Sequence, residues 1–90
     1  MRAKRYLIRG DVQGVGYRYF AKRAADRLGV KGWVRNLHTG EVEVHAEGED
    51  GALQSFRHEL ERGPAMAQVS GVVETEAAVS GSYSSFLIRG

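Results

Sequence analysis

A two-layer α+β fold, one sheet carrying two helices on a single face, is what this sequence predicts, and three observations predict it. Stretches of alternating hydrophobicity take turns with two amphipathic stretches at helical spacing, in the order β-α-β-β-α-β. Breaks rich in glycine separate them: Gly14 and Gly16 before the first helix, Gly29 after it, Thr39-Gly40 between two strands, and Gly63-Pro64 after the second helix. Each half is close to a β-α-β unit, which is the ferredoxin-like split βαβ plan: an antiparallel sheet with both helices on one face and the other face open or half-open. The 90 residues make a single domain, 1–90, with no linker and no internal repeat.

Each element has its own signal. Residues 4–10 predict a first strand, with Tyr6 and Ile8 on one face and Leu7 and Arg9 on the other. The spacing of Phe20, Ala24 and Leu28 predicts a helix over 18–28 with its charges off that stripe, and Gly29 ends it. Residues 31–38 predict a second strand; Trp33, Arg35 and Leu37 face one way, Val34 and Asn36 the other. A hairpin at Thr39-Gly40 leads into a strand over 41–47, with Val42, Val44 and Ala46 inside and Glu41, Glu43, His45 and Glu47 outside in water. Asp50 is the expected N-cap of a second helix whose buried stripe is Leu53, Phe56 and Leu60. Residues 66–76 predict a fourth strand with Val69 and Val73 on one face. Ser80-Gly81-Ser82 predicts a turn, and 83–89 a last strand with Phe86 and Ile88 together.

Composition removes several classes of function. With 42% hydrophobic and 27% charged residues the chain is an ordinary globular one. It has no cysteine, so disulfides, thiolate nucleophiles and Cys-ligated metals are excluded. The first residues carry no apolar signal region, and the longest uncharged run, 77–88, is rich in Ser and Gly; a cytoplasmic protein without membrane attachment is expected. A net charge of +2 does not by itself indicate a nucleic-acid binder. The strand over 41–47 is acidic and lacks aromatics, a surface that would repel RNA. The three histidines, His38, His45 and His58, show no metal-ligand spacing and read as surface residues. No Ser, His and acid form a visible triad. Chemistry, if there is any, rests on positioning and electrostatics, which suffice for phosphoryl transfer.

Two features carry such chemistry. The stretch Gly10 to Arg18 is a glycine-rich strand-to-helix turn whose backbone N–H groups could cradle an anion. It is neither a Walker A loop nor a dinucleotide fingerprint, since no Gly-Lys-Ser/Thr follows and Tyr19 stands where a third glycine belongs. A turn that merely needs glycine geometry has the same pattern. Arg18, however, is unfavourable beside the positive end of a helix dipole unless an anion lies between them. Asn36 is the only asparagine, in a strand that disfavours it; its amide could hold a water and touch an oxyanion, or simply precede the hairpin.

The run Gly10-Asp11-Val12-Gln13-Gly14-Val15-Gly16-Tyr17-Arg18 resembles the first acylphosphatase signature, and Gly32-Trp33-Val34-Arg35-Asn36-Leu37-His38-Thr39-Gly40-Glu41-Val42-Glu43 resembles the second. Their order and spacing, and the ending Phe86-Leu87-Ile88-Arg89, extend the resemblance over essentially the whole chain. It implies hydrolysis of the carboxyl–phosphate anhydride of acyl phosphates to a carboxylate and inorganic phosphate. It implies Arg18 and Asn36 as catalytic residues, Arg18 gripping the phosphoryl oxygens and Asn36 orienting the attacking water. Backbone N–H groups of Gln13, Gly14, Val15, Gly16 and Tyr17 would complete the phosphate site. No metal, cofactor, nucleic acid or membrane is expected, and the protein is expected to be a monomer. An inactive relative, or a domain of a larger maturation machine, is the competing expectation.

Overall fold

The computed structural model describes residues 1–90. Its elements are β1 (Arg2–Asp11), α1 (Tyr17–Leu28), β2 (Lys31–Asn36), β3 (Val42–Gly48), α2 (Asp50–Arg62), β4 (Gln68–Ala77) and β5 (Phe86–Arg89). They form one sheet in the order β4-β1-β3-β2-β5. Neighbours are antiparallel except β5, which runs parallel to β2 and places Val34 opposite Ile88. The α+β split βαβ plan read from the sequence is the one observed, with the 83–89 strand shortened to a four-residue edge.

Both helices pack on one face of the sheet, over a core of Tyr6, Ile8, Val34, Val42, Val44 and Ala46 from the strands and Leu53, Phe56 and Leu60 from α2. Phe56 stands edge-on to both Tyr6 and Phe86, tying β5 to the centre of the core. The α1 stripe differs from the sequence reading. Its buried residues are Tyr17, Ala21, Ala24 and Ala25, while Phe20 and Leu28 are only half-buried. Small alanines let α1 approach the sheet closely. Tyr17 drives its ring inward, and its hydroxyl donates to the Leu60 carbonyl at 2.5 Å, tying the first turn of α1 to α2. Burial pushes that hydroxyl well above its usual pKa, so it stays a neutral donor.

Three further expectations are corrected. Val73 does not share a face with Val69; it is 44% exposed. The β1–β4 register shifts between Arg9 and Gly10, where Gly10 lies opposite Val69 and Arg9 opposite Gly71. The extra residue, Ser70, flips the alternation, so Val69 and Val72 pack on the core and Val73 turns outward. Gly10 permits this bulge, because a Cβ there would lie 2.1 Å from the Gln68 carbonyl oxygen. Asp50 is the first residue of α2 rather than its cap; Glu49 is the N-cap. The outward row of β3 is not solvated. Glu43 lies between the guanidinium groups of Arg5 and Arg35, at 2.6 and 2.7 Å. Glu47 is 1% exposed and accepts from the Ser80 and Gly81 N–H groups at 2.8 and 3.0 Å, with His45 Nε2 at 2.7 Å. His45 is accordingly no surface residue: it stacks on Trp33 and packs against Tyr83, whose hydroxyl accepts from Trp33 Nε1. The segment between β4 and β5 therefore covers part of the second face of the sheet. A buried carboxylate is tolerated there because its oxygens are satisfied.

Candidate functional site

The loop between β1 and α1 takes its shape from two glycines. Gly14 and Gly16 both have left-handed backbones, φ 75° and 78°. A Cβ at either would meet open space, so the glycines serve conformation here, not packing. Gly16 is the N-cap of α1 and supplies no side-chain capping bond; no acidic residue lies in the first turn. The Phe20 N–H bonds back to the Gly16 carbonyl, but the N–H groups of Gly14 through Tyr19 have no acceptor in the protein. Successive free N–H groups at a helix start concentrate positive potential.

Gln13 fixes where that loop sits. Its side-chain amide donates to the carbonyls of Leu37 (2.8 Å) and Glu41 (2.9 Å). Those two residues close the β2–β3 hairpin, with the Leu37 N–H bonded to the Glu41 carbonyl. One side chain thus clasps the glycine loop to the hairpin that begins just after Asn36. Asn36 is the last residue of β2, held opposite Val42.

The result is a cavity of about 170 Å³ lined by Gly14, Gly16, Arg18, Tyr19, Asn36 and Ile88, with Val12 and Tyr17 completing the wall. Arg18 is its one charged residue and has no carboxylate within ion-pairing distance. Asn36 Oδ1 is buried with no hydrogen-bond partner. Leaving such an atom unpaired costs roughly 1–3 kcal/mol, which is the mark of a group awaiting a donor. A larger depression of about 480 Å³ lies between α2 and the β1–β4 pair, but its cations are already matched: Lys4 and Arg57 meet Glu74 at 3.0 and 2.9 Å, and Arg2 meets Asp50 at 3.4 Å. Unlike that depression, the small cavity leaves an uncompensated positive charge facing free N–H groups. It can take a small anion and hold a water beside it. No three His, Asp or Glu side chains anywhere converge in a way that could hold a metal ion.

Of the seven residues singled out from the sequence, five line this cavity: Gly14, Gly16, Tyr17, Arg18 and Asn36. Gln13 and Val15 do not. Gln13 is the clasp, and Val15 packs against the core. Val12, Tyr19 and Ile88 also line the wall and were not foreseen as site residues. Tyr19 follows Arg18 directly and was within reach of the sequence. Ile88 enters only because β5 lies beside β2, which no local pattern signals.

Comparison with known proteins follows the same lines. The model of the acylphosphatase family matches residues 4–88. An acylphosphatase of Solibacter usitatus is 52% identical over 87 residues, covering 97% of this chain and 90% of that one. One from Thermotoga maritima is 45% identical over 89 residues, covering 99% and 98%. The crystal structure of an acylphosphatase from Bacillus subtilis superposes with a TM-score of 0.95 at 38% identity, covering the whole of both chains.

Proposed function

This chain belongs to the acylphosphatase family, and from that premise we propose how its site hydrolyses an acyl phosphate to a carboxylate and inorganic phosphate. The phosphoryl group sits in the glycine loop. The Arg18 guanidinium donates to two of its oxygens as a fork, and the free N–H groups of Gly14, Val15, Gly16 and Tyr17 surround the third and complete the cradle. Asn36 holds the attacking water opposite the acyl oxygen. The water oxygen forms the new P–O bond as the bond from phosphorus to the acyl oxygen breaks, and the carboxylate leaves with that electron pair. The water's proton passes to a phosphoryl oxygen, so no protein base is required. A carboxylate is a good enough leaving group to depart without an acid. Alignment and charge stabilisation therefore supply the catalysis.

The observation that carries this reading is the meeting of Arg18, Asn36 and the unpaired loop N–H groups around one small cavity. The experiment is release of inorganic phosphate from benzoyl phosphate by the purified protein, with and without a chelator. Steady hydrolysis, unchanged by EDTA, is the expected outcome. Activity that disappears in EDTA and returns with added metal would replace the metal-free scheme, and an inert protein would make this chain a relic of its family. No helix is long and apolar enough to cross a membrane. We take the protein to act in the cytoplasm, as a monomer, through one domain spanning 1–90.

A further inference from the structure

Next to the phosphate cavity the surface opens into a groove of about 360 Å³ between α1 and the end of α2. Tyr19, Phe20, Arg23, Arg27, Glu59 and Arg62 form its walls. Gly16 and Tyr19 line both hollows, so the groove begins where the cavity ends. Its charges do not balance. Glu59, its one carboxylate, is shared by Arg62 at 2.7 Å and Arg27 at 3.1 Å. Arg23 has no carboxylate partner; its guanidinium lies over the Tyr19 ring, 5.8 Å from the centroid, and that of Arg62 lies 5.5 Å from the Phe20 ring. Two guanidinium groups thus share one carboxylate and a third is left unpaired, over an aromatic floor.

We propose that this groove is the acyl-side subsite, and that it selects acyl phosphates whose acyl group carries a second negative charge on a short carbon chain. The proposal rests on the hydrolytic reading above. Helix side chains lean toward the N-terminus, and the contact with Tyr19 shows that Arg23 does so. Its guanidinium therefore lies toward Tyr19, which lines both the groove and the phosphate cavity. An acyl group leaving the cavity past Tyr19 enters a groove that holds an unpaired guanidinium. Asn36 lines the cavity and not the groove, so an acyl group placed opposite the water that Asn36 holds points away from Asn36. A neutral acyl group gains nothing from Arg23, whereas a carboxylate does.

The test compares kcat/KM for benzoyl phosphate, whose acyl group is neutral, with that for succinyl phosphate, whose acyl group ends in a carboxylate. The proteins are the wild type, Arg23→Gln, Arg23→Lys and Lys31→Gln. Arg23 is an exposed cation with no ion pair, so its substitution leaves no carboxylate stranded. Arg23→Gln should lower kcat/KM for succinyl phosphate by roughly three- to fivefold, the scale of one exposed charge contact. It should leave benzoyl phosphate within about twofold, and Arg23→Lys should keep most of the preference. Lys31→Gln removes the same charge at the far end of β2, five residues or about 17 Å from Asn36, and should change neither substrate. The wild-type preference should also shrink as salt is added. Equal effects of Arg23→Gln on both substrates, no effect on either, or the same effect from Lys31→Gln would overturn the subsite. A wild type inert toward benzoyl phosphate would overturn the hydrolytic reading itself, and the subsite with it.

Discussion

At the start of α2, Glu49 stands at the cap and Asp50 occupies the first turn, so negative charge meets the positive end of the helix dipole. The start of α1 is built the other way: a left-handed Gly16 at the cap, no acid in the first turn, and Arg18 beside N–H groups that bond to nothing. Neither helix start has a side-chain capping bond, so the two differ in charge, and only α1 lacks an acid at its positive end. The stability it lacks locally is made up behind the loop, where Tyr17 is buried and bonded to Leu60 and Gln13 is bonded to the hairpin. One helix start has its dipole compensated by the acids of its own sequence. The other is held rigid from behind and left open in front, which is how a preorganised anion site has to be made.

That contrast can be broken at several points. The largest effect is expected from Arg18→Ala. Steady-state kinetics with benzoyl phosphate should show kcat/KM falling about 10³-fold, since one oxyanion donor already accounts for about 10²–10³, and inhibition by inorganic phosphate should vanish. Thermal unfolding should be unchanged or slightly improved, because a cation leaves the positive end of a helix. Arg18→Lys should recover little, as a point charge cannot replace the fork. A protein that loses stability along with activity would make Arg18 a structural residue. Asn36→Ala comes next: kcat should fall about 10²-fold with KM within about twofold, the signature of lost water alignment rather than lost phosphate binding. A rise in KM at constant kcat would move Asn36 from the water to the phosphate.

Gln13→Ala sharpens the comparison from behind. It deletes two hydrogen bonds, each contributing about 1 kcal/mol, and lets the loop drift from Asn36; roughly a tenfold fall in kcat/KM is expected, with part of the loss visible as a lower melting temperature. Normal kinetics in a destabilised protein would show that the clasp serves the fold alone. The smallest effect belongs to α2. Asp50→Asn should cost about 0.5 kcal/mol in urea unfolding and leave hydrolysis unaltered, and any loss of activity would undo the separation between the two helix starts.

How far each feature was legible depends on how local its cause is. Gly14 and Gly16 were legible because a tight strand-to-helix turn has few chemical solutions. Arg18 was legible because it contradicts a dipole rule, and Asn36 because it sits in a strand. The stripe Leu53, Phe56 and Leu60 on α2 was read directly from its spacing. Val73 was misplaced because a bulge at Ser70 changes the parity of β4, and that bulge depends on how closely β1 passes at Gly10. Glu47 was taken for a solvated residue because alternation reports which way a side chain points, not what covers it. Its burial depends on residues 80 and 81, more than thirty positions away.

By itself the sequence determined the element order, the α+β class, the alternation of β1 and β2, the core face of β3, and the chemical groups available for an anion and a water. These follow from periodicity, turn chemistry and residue type, all of which act within a few positions. The tertiary structure alone decided that the groups meet. It set Asn36 beside the glycine loop through the Gln13 clasp, brought Ile88 to the cavity wall through the parallel β2–β5 pairing, and opened an arginine-lined groove between two helices. The reason is physical. A side chain's type and direction are local properties of the chain, but its neighbours across a fold are fixed by register and packing among segments far apart in sequence.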